Sequence, residues 1–265
     1  MDSGAAPRHK QGVTTYSNLD MPTAERLFAA VDGTWPAAAL VEAGPWLLRE
    51  GRGGGKRVSA ATIRGPWLPD DVAAAESAMR LMGQDPLFMI RKGDDLLDQT
   101  LLARDYDAVD PTNIRLAPID TLTDRALPPV TAFSVWEPLA VMHEIWDEGG
   151  LDPARLNVME RCAAPKTGLF GRVSDRPAGS GFCAIHDGIA LVHALEIREE
   201  HRGKGLGAWM MRCAAIWAER KGARWIGALV TQANDHANGL YASLNLNTVG
   251  QYHYRILRDA ESEDM

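Results

Sequence analysis

Paired cysteines, basic runs and long apolar stretches are all scarce in this chain, and each scarcity excludes something. Only Cys162, Cys183 and Cys213 occur in 265 residues. Their odd number and wide spacing exclude a disulfide framework and a zinc site, and suit buried or free thiols in a reducing cytoplasm. Lys and Arg number 28 against 35 Asp and Glu, a net charge of −7. With no Lys/Arg run to offset that balance, a nucleic-acid partner is not expected. No apolar stretch approaches the roughly 20 residues of a membrane span, and no apolar signal core opens the chain. No serine or cysteine sits in a nucleophile elbow, and no metal-ligand spacing is present. What remains is ordinary for a globular protein: 46% apolar and 24% charged residues, enough to bury a substantial core over one large or two smaller domains.

The most informative stretch is Ala190 to Ile256. Ile189 to Ile197 (IALVHALEI) has the composition of a buried strand. Glu199-Glu200-His201 breaks it, and Arg202-Gly203-Lys204-Gly205-Leu206-Gly207 follows. Glycines at alternate positions let the backbone curl with its N–H groups turned inward. From Ala208 a helix runs to Arg220-Lys221, where Gly222 is placed to end it. A glycine turn opening onto a helix N-terminus is an anion cradle, because unpaired amides and the positive dipole end converge there. Strand, cradle and helix together point to a pyrophosphate-bearing cofactor. The glycine spacing fits neither the dinucleotide fingerprint nor the P-loop. It fits R-x-x-G-x-G, formed by Arg202, Gly205 and Gly207 after Leu195-x-Ile197. Downstream, Arg224 to Val230 reads as a second strand. Asn234-x-x-Ala237-x-x-Leu240-Tyr241 and Leu244-Asn245-Leu246 come next, and Tyr252-His253-Tyr254-Arg255 forms a closing strand.

These two motifs, in this order and on these elements, resemble the GNAT acetyltransferase superfamily, whose members bind acetyl-CoA. Leu244-Asn245-Leu246 departs from the usual Leu-Gly-Phe. The resemblance implies an α/β (α+β) fold with a mixed, mostly antiparallel sheet flanked by helices, and an N-acetyltransferase acting on a primary amine of a small molecule or peptide. It implies that the amides of Gly203 to Gly207, Leu206 included, hold the pyrophosphate, with Arg202 and Lys204 adding charge. Backbone groups of Leu195 and Ile197 would hold the pantetheine, with Asn234 beside that arm. Tyr241 would act as acid toward the leaving thiolate. For the base two candidates stand open. His193 titrates near working pH, and Glu196 is its rival. Strict alternation puts 193 and 196 on opposite faces, whereas a bulge near 195 would let both look into one cleft. Alternatives to turnover of acetyl-CoA are a CoA-binding regulatory or structural module, or a different acyl donor.

The rest of the chain suggests a division into a tail over 1–18, a first domain over 19–118, a linker over 119–129 containing Pro128-Pro129, a catalytic domain over 130–258 and an acidic tail over 259–265. A monomer or homodimer is expected. The first domain reads as helix, hairpin, helix, strand, helix, strand. Its hairpin is expected at Trp46–Arg49 and Arg57–Ile63 around Gly51 to Lys56, a run that is read as a loop, not a phosphate site. Pairing Asp105 with Asn245 sets Leu101 opposite Tyr241, and no R-x-x-G-x-G precedes it. The first half thus resembles a degenerate GNAT-like copy, expected to pack on the second half and shape its pocket. Trp136, Met142 and Trp146 are candidate pocket walls, with ordinary core as the competing reading. A hairpin is expected through Arg176 to Gly179, with another turn at Asp187-Gly188.

Overall fold

The computed structural model describes residues 20–257; the expected tails over 1–18 and 259–265 lie outside the described residues. In chain order, the elements are α1 (Ala24–Thr34), β1 (Ala39–Ala43), β2 (Trp46–Glu50), a 3-10 turn (Lys56–Val58) and β3 (Thr62–Ile63). Then follow α2 (Asp71–Leu81), β4 (Leu87–Arg91), α3 (Asp95–Leu102), β5 (Asp107–Pro118) and α4 (Asp120–Thr123). The second half contains β6 (Ala132–Val135), α5 (Ala140–Glu148), α6 (Pro153–Arg161), β7 (Lys166–Val173), β8 (Arg176–His186) and β9 (Ile189–Ile197). It closes with α7 (Leu206–Glu219), β10 (Trp225–Thr231), α8 (Asp235–Ser243) and β11 (Asn247–Ile256). Local chemistry accounts for several of these boundaries. Thr23 caps α1 by accepting from the Arg26 amide at 3.3 Å, and Asp152 caps α6 with Pro153 at its first position. Asp187 and Gly188 both take positive φ in the turn between β8 and β9.

Eight strands form one sheet in the order β4-β11-β5-β10-β9-β8-β7-β6. All neighbours are antiparallel except β9 and β10. The smaller sheet β1-β2-β3 joins this one through a single parallel bridge, Ala61 to Phe88. The two halves therefore do not build separate sheets. Each sends its last strand between strands of the other: β11 lies between β4 and β5, and β5 between β11 and β10. An approximate two-fold relation runs through the β5–β11 pair. About it, β3-α2-β4-α3-β5 corresponds to β9-α7-β10-α8-β11.

The corner after the last helix carries the relation into residues. Asp105 and Asn245 both adopt a left-handed backbone, φ 62° and 58°. Tyr106 N donates to Leu101 O at 3.1 Å, and Leu246 N to Tyr241 O at 3.0 Å. The same αL helix stop thus occurs twice, in the register that sets Leu101 opposite Tyr241.

One side of the large sheet packs under α7, whose Met210, Met211, Ala214, Ala215 and Ala218 are fully buried over β6 to β9. The other side packs on α1 through Leu27, Phe28 and Val31. Two expectations are corrected. Gly51 to Lys56 does not join two hairpin strands: β2 pairs along its length with β1 across Gly44-Pro45, meets β3 only over two residues, and Lys56–Val58 is a 3-10 turn. The turn of the β7–β8 hairpin is Ser174-Asp175, so Arg176 to Gly179 belong to β8. Within the stretch 119–129, Ile119 and Leu122 are buried beneath α7. Among the described residues, no helix is long and apolar enough to cross a membrane.

Candidate active site

The parallel pair β9–β10 holds register only from Ile189–Trp225 to Val192–Ala228, although both strands continue. Their separation has a local cause. Opposite β8, Ser180 pairs with Glu196 and Phe182 with His193, so one residue of β8 faces two of β9. The extra residue is a bulge at Ala194, whose φ is +48°. The indole N–H of Trp146 donates to the Ala194 carbonyl at 2.9 Å and fixes the bulge. The bulge turns β9 away from β10 and leaves its edge from Leu195 to Ile197 facing a groove.

That groove, about 620 Å³, is lined by Leu195, Glu196 and Ile197 on one wall and by Asn234, Ala237 and Tyr241 on the other. Its floor is the loop Arg202 to Ala208. Gly203 and Gly205 take φ +72° and +78°, and open space lies where their β-carbons would point. After Arg202, whose amide donates to Glu199 O at 3.1 Å, Trp209 is the next amide of this loop and helix to find a backbone acceptor outside the helix, Gly205 O at 3.3 Å. The amides between them are the N–H groups that the start of a 14-residue helix leaves unpaired. Arg202 Nε donates to Ile197 O at 2.9 Å, and Lys204 Nζ to Glu200 O at 2.8 Å. These bonds brace the loop. Asn234 serves as N-cap of α8, its side chain accepting from Ala237 N at 3.0 Å. Donors at the loop and an unpaired strand edge are what a pyrophosphate followed by an amide-bearing arm requires, so the residues present fit CoA.

A second cavity of about 430 Å³ opens beside the first and shares Leu195, Glu196, Asn234, Ala237 and Tyr241 with it. The bulge brings both His193 and Glu196 to its wall. Their settings differ. His193 is buried, packed on Trp35 at 5.1 Å between ring centroids. Its Nδ1 lies 3.2 Å from an Arg57 guanidinium nitrogen and its Nε2 2.9 Å from Thr34 Oγ1. Arginine can only donate, so Nδ1 accepts and Nε2–H donates to Thr34, whose hydroxyl passes its own proton to Ala30 O at 2.7 Å. Both ring nitrogens are engaged. Burial, with Arg57 second, holds the imidazole well below its usual range, and it stays neutral. Glu196 is half-buried, and burial raises its carboxyl above the ordinary glutamate value despite the opposing pull of Arg202. Gly149, at the end of α5, lies so close that a β-carbon there would stand 2.8 Å from Glu196 Cγ. The phenol of Tyr241 is buried and pushed up to about 12, by burial first and Glu196 second.

Of the three candidate pocket walls, Met142 and Trp146 are fully buried core, the competing reading, and Trp136 packs against the same cluster under the Lys166 ammonium at 4.4 Å. Sequence reasoning missed Thr34, Trp35, Arg57, Tyr252 and Tyr254, which all belong to or flank this cavity. Two signals were present: the Gly-rich run delivers Arg57, and alternation in Tyr252-His253-Tyr254 sets both tyrosines on one face. As expected, the first half of the chain shapes this cavity, through Trp35 and Gly54 to Arg57.

Residues 136–245 match the Acetyltransferase (GNAT) family. A curated Bacillus subtilis (strain 168) protein, described as uncharacterized N-acetyltransferase YobR, is 28% identical over 250 residues, spanning 90% of this chain and 99% of its own. Among solved structures, a GCN5-related N-acetyltransferase from Kribbella flavida superposes with a TM-score of 0.65 at 20% identity, over 91% of this chain and 98% of its own. A tandem GNAT protein from the clavulanic acid biosynthesis pathway gives 0.52 at 15% identity, over 70% and 67%. These two structures share the fold. With the glycine loop, the splayed parallel strands and the duplicated corner on the same sheet, the chain is similar to the GNAT superfamily of acyltransferases, whose family model its residues 136–245 match.

Proposed function

We propose that the protein moves an acetyl group from acetyl-CoA to a primary amine of a small molecule or peptide by direct transfer. The observation that carries this reading is the juxtaposition of two cavities, one walled by the free edge of β9 and floored by the glycine loop, the other facing Glu196, with Tyr241 lining both. When bound, acetyl-CoA supplies a thioester carbonyl as the acyl donor. The amides from Gly203 to Gly207 bind the pyrophosphate, with Arg202 and Lys204 adding positive charge. The edge of β9 at Leu195 and Ile197 takes up the amide-bearing arm as an added strand, with Asn234 opposite. Tyr241 keeps its proton at neutral pH, because burial raises its pKa, and it donates that proton to the departing sulfur.

Glu196 serves as base. Its carboxylate faces the acceptor cavity, and burial moves it toward working pH. His193 has no free lone pair for an amine proton, since Arg57 occupies Nδ1 and Nε2 carries the hydrogen. Its role is to position Arg57. The three thiols, all free and buried, suit a reducing cytoplasm. Calorimetric titration with acetyl-CoA, followed by free-thiol release on a panel of amines, tests the reading. Micromolar binding and amine-dependent thiol release are expected. Binding without release from any amine would favour a CoA-binding module, and no binding would remove the cofactor.

A further inference from the structure

The acceptor cavity contains a cation with no counter-ion. Arg57 projects from the 3-10 turn after the glycine run and lines the cavity together with His193 and Glu196. One terminal nitrogen of its guanidinium is engaged with His193 Nδ1 at 3.2 Å. The Nε is buried with no hydrogen-bond partner. The polar neighbours of the guanidinium are the phenols of Tyr252 and Tyr254; no carboxylate is among them. Arg155, the next cation on the wall, passes over Gly55 and meets no carboxylate among the described residues. Lys56 differs, being paired with Asp110 at 2.9 Å. A buried charge is costly to leave unpaired, and elsewhere this chain pairs its buried arginine: Arg49, 1% exposed, is held by Asp32 at 2.8 Å. Arg57 is half-buried with its Nε fully covered, and no carboxylate of the described residues takes that place.

We infer that the acceptor amine carries a carboxylate, which the Arg57 guanidinium binds while the amino group faces Glu196. This rests on the acetyltransferase reading of the same site. A guanidinium's planar fork matches the two oxygens of a carboxylate, and the phenols of Tyr252 and Tyr254 add O–H donors to the same acceptor. A monoanion suits the cavity better than a phosphate dianion, because Glu196 and Asp110 also face it. The two poles give direction: cation at Arg57, anion at Glu196, which an amino acid or peptide terminus with separated amine and carboxylate would span. Polyamines and aminoglycosides offer no group for Arg57.

The test is a panel of amino acids and dipeptides, each offered beside its carboxamide and its decarboxylated amine, with acetyl-CoA and free-thiol release as readout. The free acids are expected to exceed their amides by about 10- to 100-fold in kcat/KM. That preference should vanish in Arg57→Met and return in part in Arg57→Lys, which keeps charge without the fork. Acetyl-CoA affinity should be unchanged in both. Turnover confined to amines without an acid group, or a preference that survives Arg57→Met, overturns the inference and leaves the acetyltransferase reading intact. Loss of acetyl-CoA binding in the wild type would instead overturn that reading and this inference with it. Should acetyl-CoA bind while no amine in the panel reacts, titration with butyrate, a monoanion with no group to oppose Glu196, decides. The His193 ring resonances should move in the wild type and stay still in Arg57→Met; an unmoved His193 in the wild type overturns the inference.

Discussion

The two pseudo-symmetric copies within the shared sheet have the same backbone plan and opposite fates. In the second copy, β9 leads through Arg202 to Gly205 into α7, the loop amides are unpaired, and a groove of about 620 Å³ separates β9 from α8. In the first copy, β3 leads through Arg64-Gly65-Pro66-Trp67-Leu68-Pro69-Asp70 into α2. Two prolines remove amides there. The Leu68 amide is taken by the chain's own carboxylate, Asp71 Oδ2, at 2.7 Å. Trp67 lies 5.8 Å from Trp46, and Leu101, where the second copy has Tyr241, is fully buried in the same apolar cluster. The first copy has filled with its own side chains the space that the second keeps open. In this sheet the duplicated corner stays open where glycine leaves amides free and a bulge parts the strands. Without those, the same topology collapses into core.

The largest effect expected from breaking this contrast is at the loop. Gly205→Trp should abolish acetyl-CoA binding by calorimetry, since it puts bulk in the cradle at φ +78°. Gly65→Trp at the corresponding loop should leave that affinity unchanged. The next largest is at the duplicated corner. Tyr241→Phe should lower kcat by roughly 10²- to 10⁴-fold with acetyl-CoA affinity retained. Leu101→Ala should instead cost about 2–5 kcal/mol of stability in denaturant unfolding, as a core truncation does. Full activity in Tyr241→Phe would remove the phenol from its role as acid.

Smaller still is the effect of Trp146→Phe, which leaves the Ala194 carbonyl at the bulge without its donor. A loss of about 1–3 kcal/mol in unfolding is expected, with a fall in kcat as Glu196 drifts.

Two pH effects are the finest probes. Burial raises the folded pKa of Glu196 above its unfolded value near 4.5. Folding therefore favours the protonated form, and stability is lost as pH rises from below 4.5 through the folded value. Glu196→Gln should accordingly raise Tm at pH 7 and leave it nearly unchanged at pH 4, while slowing turnover. For His193 the shift is opposite, because its folded pKa lies well below 6.5. Stability should fall as pH drops below about 6.5, and His193→Asn should flatten that slope in thermal melts. A turnover profile whose ascending limb disappears in His193→Asn but persists in Glu196→Gln would reverse the assignment of the base.

Much of this was legible in the sequence because it is local. Apolar runs, Asp187-Gly188 as a turn and the glycine loop all act within a few residues. The register of Asp105 with Asn245 was equally readable, since an αL helix stop has its own short signature. What the sequence left open depended on distant partners. His193 and Glu196 looked equivalent as bases until Thr34 and Arg57 closed off both imidazole nitrogens. Trp146 looked like a pocket wall or core, and proved to be the hydrogen-bond donor that fixes the bulge. The run Gly51 to Lys56 looked like a hairpin loop, and in the folded chain it carries Arg57 to the cavity wall. By itself, the sequence determined most of the elements, the glycine loop and the resemblance to the GNAT superfamily, because those follow from backbone preferences over short spans. Only the tertiary structure decided that the halves exchange strands, which copy stays open, and which side chains face the acceptor. Those outcomes depend on contacts between residues more than 100 positions apart, such as Arg57 with His193, and no local pattern encodes them.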